Sequence, residues 1–435
     1  MRRIAALFTV CSCLILARAN VSAQPWLAAS DIHLNPFSSR ATAVGSGYDT
    51  NPILLGEAIR AMRRADPDPL VVILAGDFLA HHFRGKFAVA TMRELARQFD
   101  SAFPRAQFVL VLGNDDAECG DYRIEPGGTF LREVARAWAP LVNRHGMAPG
   151  FARDFPALGA YVARLPGVRA RAVVIDDTFW SVKYANACGG GAPGDATLSW
   201  LGRELTATPP SQTNWLFLHE PPGIDAFSTR VTHDLFTFAF LEPRYTSALS
   251  SLVWDPRNRV ALAMGGHTHS FSFRLIGNGG RDIPMLVIPA ISPVYGNSPS
   301  FLTVDVGPTG IRDAREHARV AGHWKLVGGL ASSFGLPDVG ARSLHRLEGK
   351  LQSDARARAI FGALYGGGAS PPEFNETTWP EYTCASIALS QEGWRACRDR
   401  YRPRSARTSW LFLVLGFIVG AAAIVATFRL RRRAR

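Results

Sequence analysis

The residues of this chain that could do chemistry are histidines, aspartates and one asparagine standing at the ends of apolar runs. His267 and His269 flank Thr268 just after the apolar stretch 261–265. Side chains at i and i+2 share a face when the backbone is extended, and imidazole is the commonest side-chain metal ligand. Asp31 and His33 repeat that spacing. Asp77 follows the run 70–74, Asn114 follows 107–112 and His219 follows 215–218. Five apolar runs thus each end in Asp, Asn or His, at the carboxyl end where open α/β sheets place their sites. Mixed nitrogen and oxygen donors suit zinc, manganese or iron better than calcium. Singly, each residue also has a structural reading: Asp31 or Asp77 as a helix cap, His219 as a loop residue. The set together points to a metal centre.

The elements that must position this set alternate in type. Residues 24–31 read as a strand delivering Asp31, 51–63 as a helix, 70–75 as a strand, 87–99 as a helix and 107–112 as a strand. That rhythm predicts parallel crossovers on a sheet. Further on, 127–142 reads as helix and is followed by a Gly/Pro-rich stretch to 167. Residues 171–175 and 178–182 read as strands, 197–205 as helix, 215–218 and 259–264 as strands, and 235–252 carries helical spacing. The short runs 270–276, 284–291 and 301–306 suit an antiparallel second sheet. Residues 344–365 read as helix, and 336–407 as a small helical lobe packed on a main domain of 24–335.

The ends of the chain carry a different signal. Two arginines, an apolar run to Ala17 and the small residues Val21-Ser22-Ala23 have the form of a removed signal peptide over 1–23. Residues 408–428 lack charge and lie between Arg407 and Arg429, the length of a membrane helix, which leaves 429–435 as a basic cytoplasmic tail. The formal charge of +12 is concentrated in arginines at 395–407 and 429–435. That is a membrane-flanking pattern without interleaved aromatics, so nucleic acid is not expected as the main partner. Removing the signal leaves Cys119, Cys188, Cys384 and Cys397. An even number in an exported chain points to disulfides. Three pairings are possible; proximity favours Cys384–Cys397 and leaves Cys119–Cys188.

The ordered set Asp31, His33, Asp77, Asn114, His219, His267 and His269 resembles the calcineurin-like dinuclear metallophosphoesterase superfamily over roughly residues 25–290. The segments Ser30-Asp31-Ile32-His33, Gly76-Asp77-Phe78-Leu79-Ala80-His81, His219-Glu220-Pro221-Pro222-Gly223 and Gly266-His267-Thr268-His269 look like its acid-sphingomyelinase-like phosphodiesterase branch. The resemblance implies an α/β fold, a four-layer α/β/β/α sandwich of two mixed sheets, here extended by the helical lobe and one C-terminal transmembrane helix. It implies two divalent metal ions, zinc first and manganese or iron as alternatives. Asp31, His33 and His269 would hold one ion, Asn114, His219 and His267 the other, and Asp77 would bridge. It also implies hydrolysis of phosphodiester or phosphoanhydride bonds by a hydroxide bridging the two ions, in an enzyme anchored to a membrane with its catalytic domain outside the cytoplasm. Substrates in reach of that chemistry are a phosphate-containing small molecule, a lipid or polyphosphate.

One departure stands out. The family usually has Gly-Asn-His followed by an acid, whereas this chain has Gly113-Asn114-Asp115-Asp116. By the same resemblance His81 matches a second active-site histidine and is the candidate proton donor. Asp115 could accept a hydrogen bond, bind a third cation or be solvated. Relatives that cut polyphosphate also lack the histidine, which draws the substrate towards phosphoanhydrides. A different class, a metal-binding pseudoenzyme serving as a surface interaction module, is the rival to all of these.

Overall fold

Short, wholly buried strands carry the fold. β1 (Trp26–Ala29), β2 (Val71–Ala75) and β3 (Gln107–Val111) pair in parallel. None of their residues reaches solvent, as a parallel sheet covered on both faces requires. The crossovers are α1 (Pro52–Ala65) and α2 (Ala88–Ala102). Asn51 starts α1 by accepting the Leu54 N–H, with Pro52 in the first turn. The computed structural model describes residues 25–401 apart from 41–46, 186–192, 234, 278–279, 309 and 370–372.

After α3 (Thr129–Val142) and α4 (Phe151–Leu158) come β4 (Tyr161–Arg164), β5 (Ala170–Val174), α5 (Gly194–Thr206) and β6 (Thr213–Phe217). The two-residue strands β7 (Ile224–Asp225) and β8 (Phe238–Ala239) flank α6 (Ala226–Val231). Then follow α7 (Pro243–Trp254), β9 (Val260–Gly265), β10 (Ser272–Ile276), β11 (Ile283–Val287), β12 (Ser300–Gly307), β13 (Gly310–Val320) and β14 (His323–Gly329). One six-stranded sheet has the order β14-β13-β12-β1-β2-β3 and the other β10-β11-β9-β6-β5-β4. Both are mixed. The two meet through buried rings: Trp26 on β1 lies 5.3 Å from Trp215 on β6. The Tyr161 hydroxyl on β4 donates to the Leu110 carbonyl of β3 and accepts its N–H.

Several sequence expectations need correction. Residues 178–182 are not a strand. Asp177–Trp180 form a 3₁₀ turn whose Thr178 N–H is capped by Asp176, because short acidic side chains compete for backbone donors. The stretch to 167 contains α4 and β4 rather than loop alone. The runs 270–306 do not form a sheet of their own. β11 lies parallel to β9 in the second sheet, while β12 lies antiparallel to β1 in the first. The long hairpin β13–β14, which the sequence reading leaves without an element, extends the first sheet beyond β12.

The helix expected over 344–365 is two, α8 (Ala341–Ser353) and α9 (Ala355–Tyr365). It breaks at Asp354, which is extended and caps α9 through the Arg356 N–H. With α10 (Trp379–Ala385) and α11 (Gln391–Tyr401) these helices pack on β10, β11 and β14. Cys384 and Cys397 form the disulfide that joins α10 to α11. Cys119 is also disulfide-bonded, and Cys188 lies outside the described residues. The expected signal peptide 1–23, membrane helix 408–428 and tail 429–435 lie outside them as well. Among the described residues no helix is long and apolar enough to cross a membrane.

Candidate metal centre

The chemistry-bearing side chains sit on the turns that leave β1, β2, β3, β6 and β9. Asp31, His33, Asp77, His267 and His269 all have positive φ, at 47°, 44°, 53°, 70° and 59°. Side-chain-bearing residues rarely occupy that region, and its use concentrates at functional sites. The i, i+2 pairs therefore do not converge along one face of an extended strand, as their spacing predicts. They converge through left-handed turns, because the strands end at Ala29 and Gly265, before the ligand-type residues begin. Glycines make the approach possible. A Cβ on Gly76 would collide with the His219 ring, 2.9 Å from its Cγ. One on Gly113 would stand 2.8 Å from Asp77 Cγ, and one on Gly266 2.7 Å from Asp31 Oδ2.

Asp31, His33, His219, His267 and His269 come together around Asp77, and Asn114 lines the same cleft. Asp77 Oδ2 lies 3.1 Å from His219 Nε2 and 3.5 Å from His33 Nε2. On one side, His33 Nε2 is 3.2 Å from His269 Nε2, which is 3.4 Å from Asp31 Oδ1. On the other, His219 Nε2 is 3.3 Å from His267 Nδ1. The outer nitrogens of two rings are fixed by carbonyls: His33 Nδ1 is 3.0 Å from Leu79 O and His219 Nδ1 is 2.7 Å from Ala75 O. A carbonyl only accepts, so those nitrogens carry the proton and both Nε2 lone pairs face inward. Asn114 donates its Nδ2 to Asp121 at 2.8 Å, which leaves Oδ1 buried and without a partner; Asp31 Oδ1 is equally orphaned.

The electrostatics show the same shortage of positive charge. Burial pushes the Asp31 carboxyl up to about 7 although His219 pulls against it. Burial and the nearby Asp77 push Asp115 up to about 10. Asp77 itself, which burial would raise, is held below the usual carboxylate range chiefly by His219. Burial lowers the His33 and His267 imidazoles well below their ordinary value, with the neighbouring His81 and His219 adding to it. Burial works against a charge on His219 too, but Asp77 and Asp31 raise that imidazole well above its ordinary value. Inward-facing imidazoles, crowded carboxylates and orphaned oxygens within a few ångströms are the donor set that divalent cations take. Three groups among the described residues have the spacing to hold one: Asp31, His33 and Asp77; Asp77, His219 and His267; and His33, His81 and His269.

His81 stands at the edge of this centre. Its ring stacks on His33 at 4.1 Å, and its Nδ1 is 3.0 Å from Asp49 Oδ1. The Tyr295 hydroxyl is 3.1 Å from Nε2. Burial works to lower the imidazole, but the bond to Asp49 together with the charges of Asp49, Asp77 and Asp121 outweighs it, and the group is raised. Asp115 Oδ2 is 3.8 Å from the same Nε2, while the Asp115 N–H donates to Asp77 Oδ1 at 2.9 Å. Three positioning residues escaped the sequence reading. Asp49 lies in a loop with no periodicity to mark it. Asp116 accepts the N–H groups of Phe78, Leu79 and Gly113, tying the β2 and β3 turns together. Asp177 Oδ1 accepts the His219 N–H. Of these, Asp116 alone had a sequence signal, its place in the Gly-Asn-Asp-Asp run.

The centre opens into a cavity of about 240 Å³, lined among others by Asp77, His267, Lys183 and Tyr295, and on its far wall by Tyr365 of α9 and Tyr382 of α10. Arg274 on β10 ties that wall to the sheet, donating to the carbonyls of Ala385 and Ile224.

A family model for calcineurin-like phosphoesterases matches residues 25–271. The chain belongs to the calcineurin-like phosphoesterase family. With that membership it is a hydrolase acting on phosphoester bonds. This phosphoesterase is 24% identical over 262 residues to sphingomyelinase phosphodiesterase D of Dictyostelium discoideum, across 59% of this chain and 56% of that protein. It is 21% identical over 400 residues to acid sphingomyelinase-like phosphodiesterase 3b of Homo sapiens, across 86% and 85% of the two. The chain thus spans little more than half of the first relative and most of the second. Both match the branch that its sequence motifs resemble. Among solved structures, purple acid phosphatase PPD1 of yellow lupin aligns at a TM-score of 0.41 with 13% identity, over 70% of this chain and 53% of that one. A dimetal phosphatase from Danio rerio aligns at 0.39 with 14% identity, over 70% and 99%.

Proposed function

We propose that this calcineurin-like phosphoesterase is a dinuclear-metal phosphodiesterase, anchored in a membrane with residues 24–335 as its catalytic unit outside the cytoplasm, and that it acts on lipid-linked phosphodiesters. The observation that carries the chemistry is the ring of inward-facing imidazole nitrogens about Asp77 Oδ2, with Asp31 Oδ1 and Asn114 Oδ1 left without a hydrogen-bond partner. Asp31, His33 and His269 would hold one cation, Asn114, His219 and His267 the other, and Asp77 both; the imidazole-rich donor set favours zinc. Two such cations, when bound, supply Lewis-acid polarisation of a phosphoryl oxygen and a water acidic enough to ionise near neutral pH.

The chain's own residues supply the rest. His81, held by Asp49 through Nδ1, presents Nε2 to the cleft and gives its proton to the leaving oxygen. Tyr295 keeps that nitrogen aimed. Asp115 occupies the place of the family's usual histidine and orients Asp77 through its backbone N–H. The C-terminal wall, with Tyr365 and Tyr382, shapes the space beyond the phosphoryl group. Export is supported by the Cys384–Cys397 disulfide and by the signal-like residues 1–23.

A phosphoanhydride substrate is the second reading, and Asp115 in place of histidine is what favours it. The test is metal analysis of the purified protein with a panel of bis-p-nitrophenyl phosphate, sphingomyelin, ATP and polyphosphate. Turnover of the two diesters with about two divalent ions per chain is the expected result. Turnover confined to ATP and polyphosphate supports the anhydride reading. Metal retained with no turnover on any of the four overturns both and leaves the pseudoenzyme.

A further inference from the structure

Exposed apolar side chains are unevenly spread on this molecule. Of the twelve large ones among the described residues, five fall within residues 227–238: Phe227, Val231, Leu235, Phe236 and Phe238. Leu235 and Phe236 are 76% and 64% exposed. Two more adjoin them. Val182 bonds through its N–H to the Phe240 carbonyl just past β8, and Tyr295 lies 6.3 Å from Phe227. Single apolar residues on a surface mean little, but a contiguous patch marks a contact.

The patch has a place in the fold that gives it a partner. Phe227 lines the cleft, and Tyr295 beside it reaches His81, so the patch borders the mouth of the candidate site. From its other side α11 is fastened to it: Gln391 and Arg395 donate to the Thr237 carbonyl and hydroxyl at 2.8 and 2.9 Å. Past Tyr401 the chain continues through Arg402, Arg404 and Arg407 into the uncharged residues 409–428. The helix bound to the patch therefore leads, within a few residues, into the stretch whose composition fits a bilayer. Exposed Arg230 lies on the patch and Arg395 at its border, as suits contact with anionic headgroups.

We propose that Phe227, Val231, Leu235, Phe236 and Phe238 form a bilayer-facing surface that seats the mouth of the phosphoesterase cleft on the headgroup layer of a phospholipid membrane. The idea rests on the reading of this chain as an anchored phosphodiesterase and adds to it: the anchor brings the molecule to the membrane, and the patch fixes which way the cleft faces. Phe236 and Leu235 enter the acyl boundary, and a lipid-borne phosphodiester meets the cleft beside Phe227 without leaving its leaflet.

The test uses the full chain reconstituted in vesicles of phosphatidylcholine and phosphatidylserine, with the triple variant Val231→Ser, Leu235→Ser, Phe236→Ser. None of the three is placed in the catalytic machinery. Turnover of vesicle-embedded sphingomyelin is expected to fall at least tenfold, while turnover of soluble bis-p-nitrophenyl phosphate and metal content stay within twofold of the parent. Equal loss on both substrates, or no loss on the embedded one, overturns the proposal. A second measurement is independent of activity. Phe236→Trp in vesicles containing brominated lipid should add indole emission that is quenched relative to unbrominated vesicles. An unquenched added signal overturns the proposal, and a serine variant that alters the sedimenting mass would assign the patch to a second copy of the chain instead. If the parent cleaves neither substrate while the added indole is quenched, the surface stands and the catalytic reading falls.

Discussion

Gly76→Ala should disable the centre without touching any residue that could bind metal. At φ 97° the position is one that side-chain-bearing residues rarely adopt, a strain of about 1–3 kcal/mol. The added methyl would also drive into the His219 ring, 2.9 Å from Cγ, and dislodge Nδ1 from the Ala75 carbonyl it meets at 2.7 Å. Ser30 Oγ would still donate to that carbonyl, but the buried Nδ1–H of His219 would lose its acceptor, which costs about another 1–3 kcal/mol. The strain falls on folding as a whole, whereas the loss at His219 falls on the arrangement in which Nε2 faces Asp77. At about 1.4 kcal/mol per decade, about 1–3 kcal/mol there is a loss of roughly 5-fold to 150-fold in affinity for the cation on that side. The assay is competition with a graded chelator, read by metal content of the recovered protein, beside thermal unfolding. Gly322→Ala separates the two effects, since Gly322 in the β13–β14 turn has φ 83° with no atom within 4 Å of an added Cβ. It should lower the melting temperature and leave metal retention as in the parent. A Gly76→Ala protein that holds its metal as firmly as the parent would refute the reasoning.

Three further outcomes follow from the geometry. Asp77→Asn should lose metal and turnover together. His81→Ala should keep its metal and lose about 10²–10⁴-fold in kcat, with Asp49→Asn falling the same way by less; an unchanged kcat in His81→Ala removes it as proton donor. Away from the centre, Glu316 on β13 is fully buried with both carboxyl oxygens unpaired, and burial raises it well above 4.5 although the Ser300 hydroxyl pulls the other way. A carboxyl raised by folding stays protonated in the native chain after the unfolded chain has released its proton. Its contribution is therefore full below about 4.5 and is lost as pH rises towards the folded value, by at most about 1.4 kcal/mol per unit. Urea unfolding of Glu316→Gln should show an advantage over the parent that grows between pH 5 and 7, and a constant difference would contradict it.

The ligand-type residues were legible because each terminates an apolar run, and buried parallel strands leave that signature in any sequence. Their backbone was not. Nothing in His-x-His or Asp-x-His distinguishes an extended pair from one wound through positive φ, and the convergence of His267 on His219 depends on the latter. The first sheet's parallel half could be read from β1, α1, β2, α2 and β3. Its antiparallel half could not, because β12 joins β1 across some 270 positions, Trp26 opposite Val304, and β13 alternates charged with small residues rather than with large apolar ones. Asp49 and Asp177 were invisible for a related reason: a loop carboxylate acquires its role only from the donors that folding brings to it.

The strap that Arg274 throws from β10 to the carbonyls of Ile224 and Ala385 divides the labour of this chain. Every donor atom about Asp77 comes from residues before 270, whereas one side of the chamber is borrowed from helices that begin after 340. Reactivity and selectivity are thereby written in separate stretches of sequence. Descendants of such a scaffold can retool what they accept by reshaping the distal helices, with the bond-breaking apparatus inherited intact.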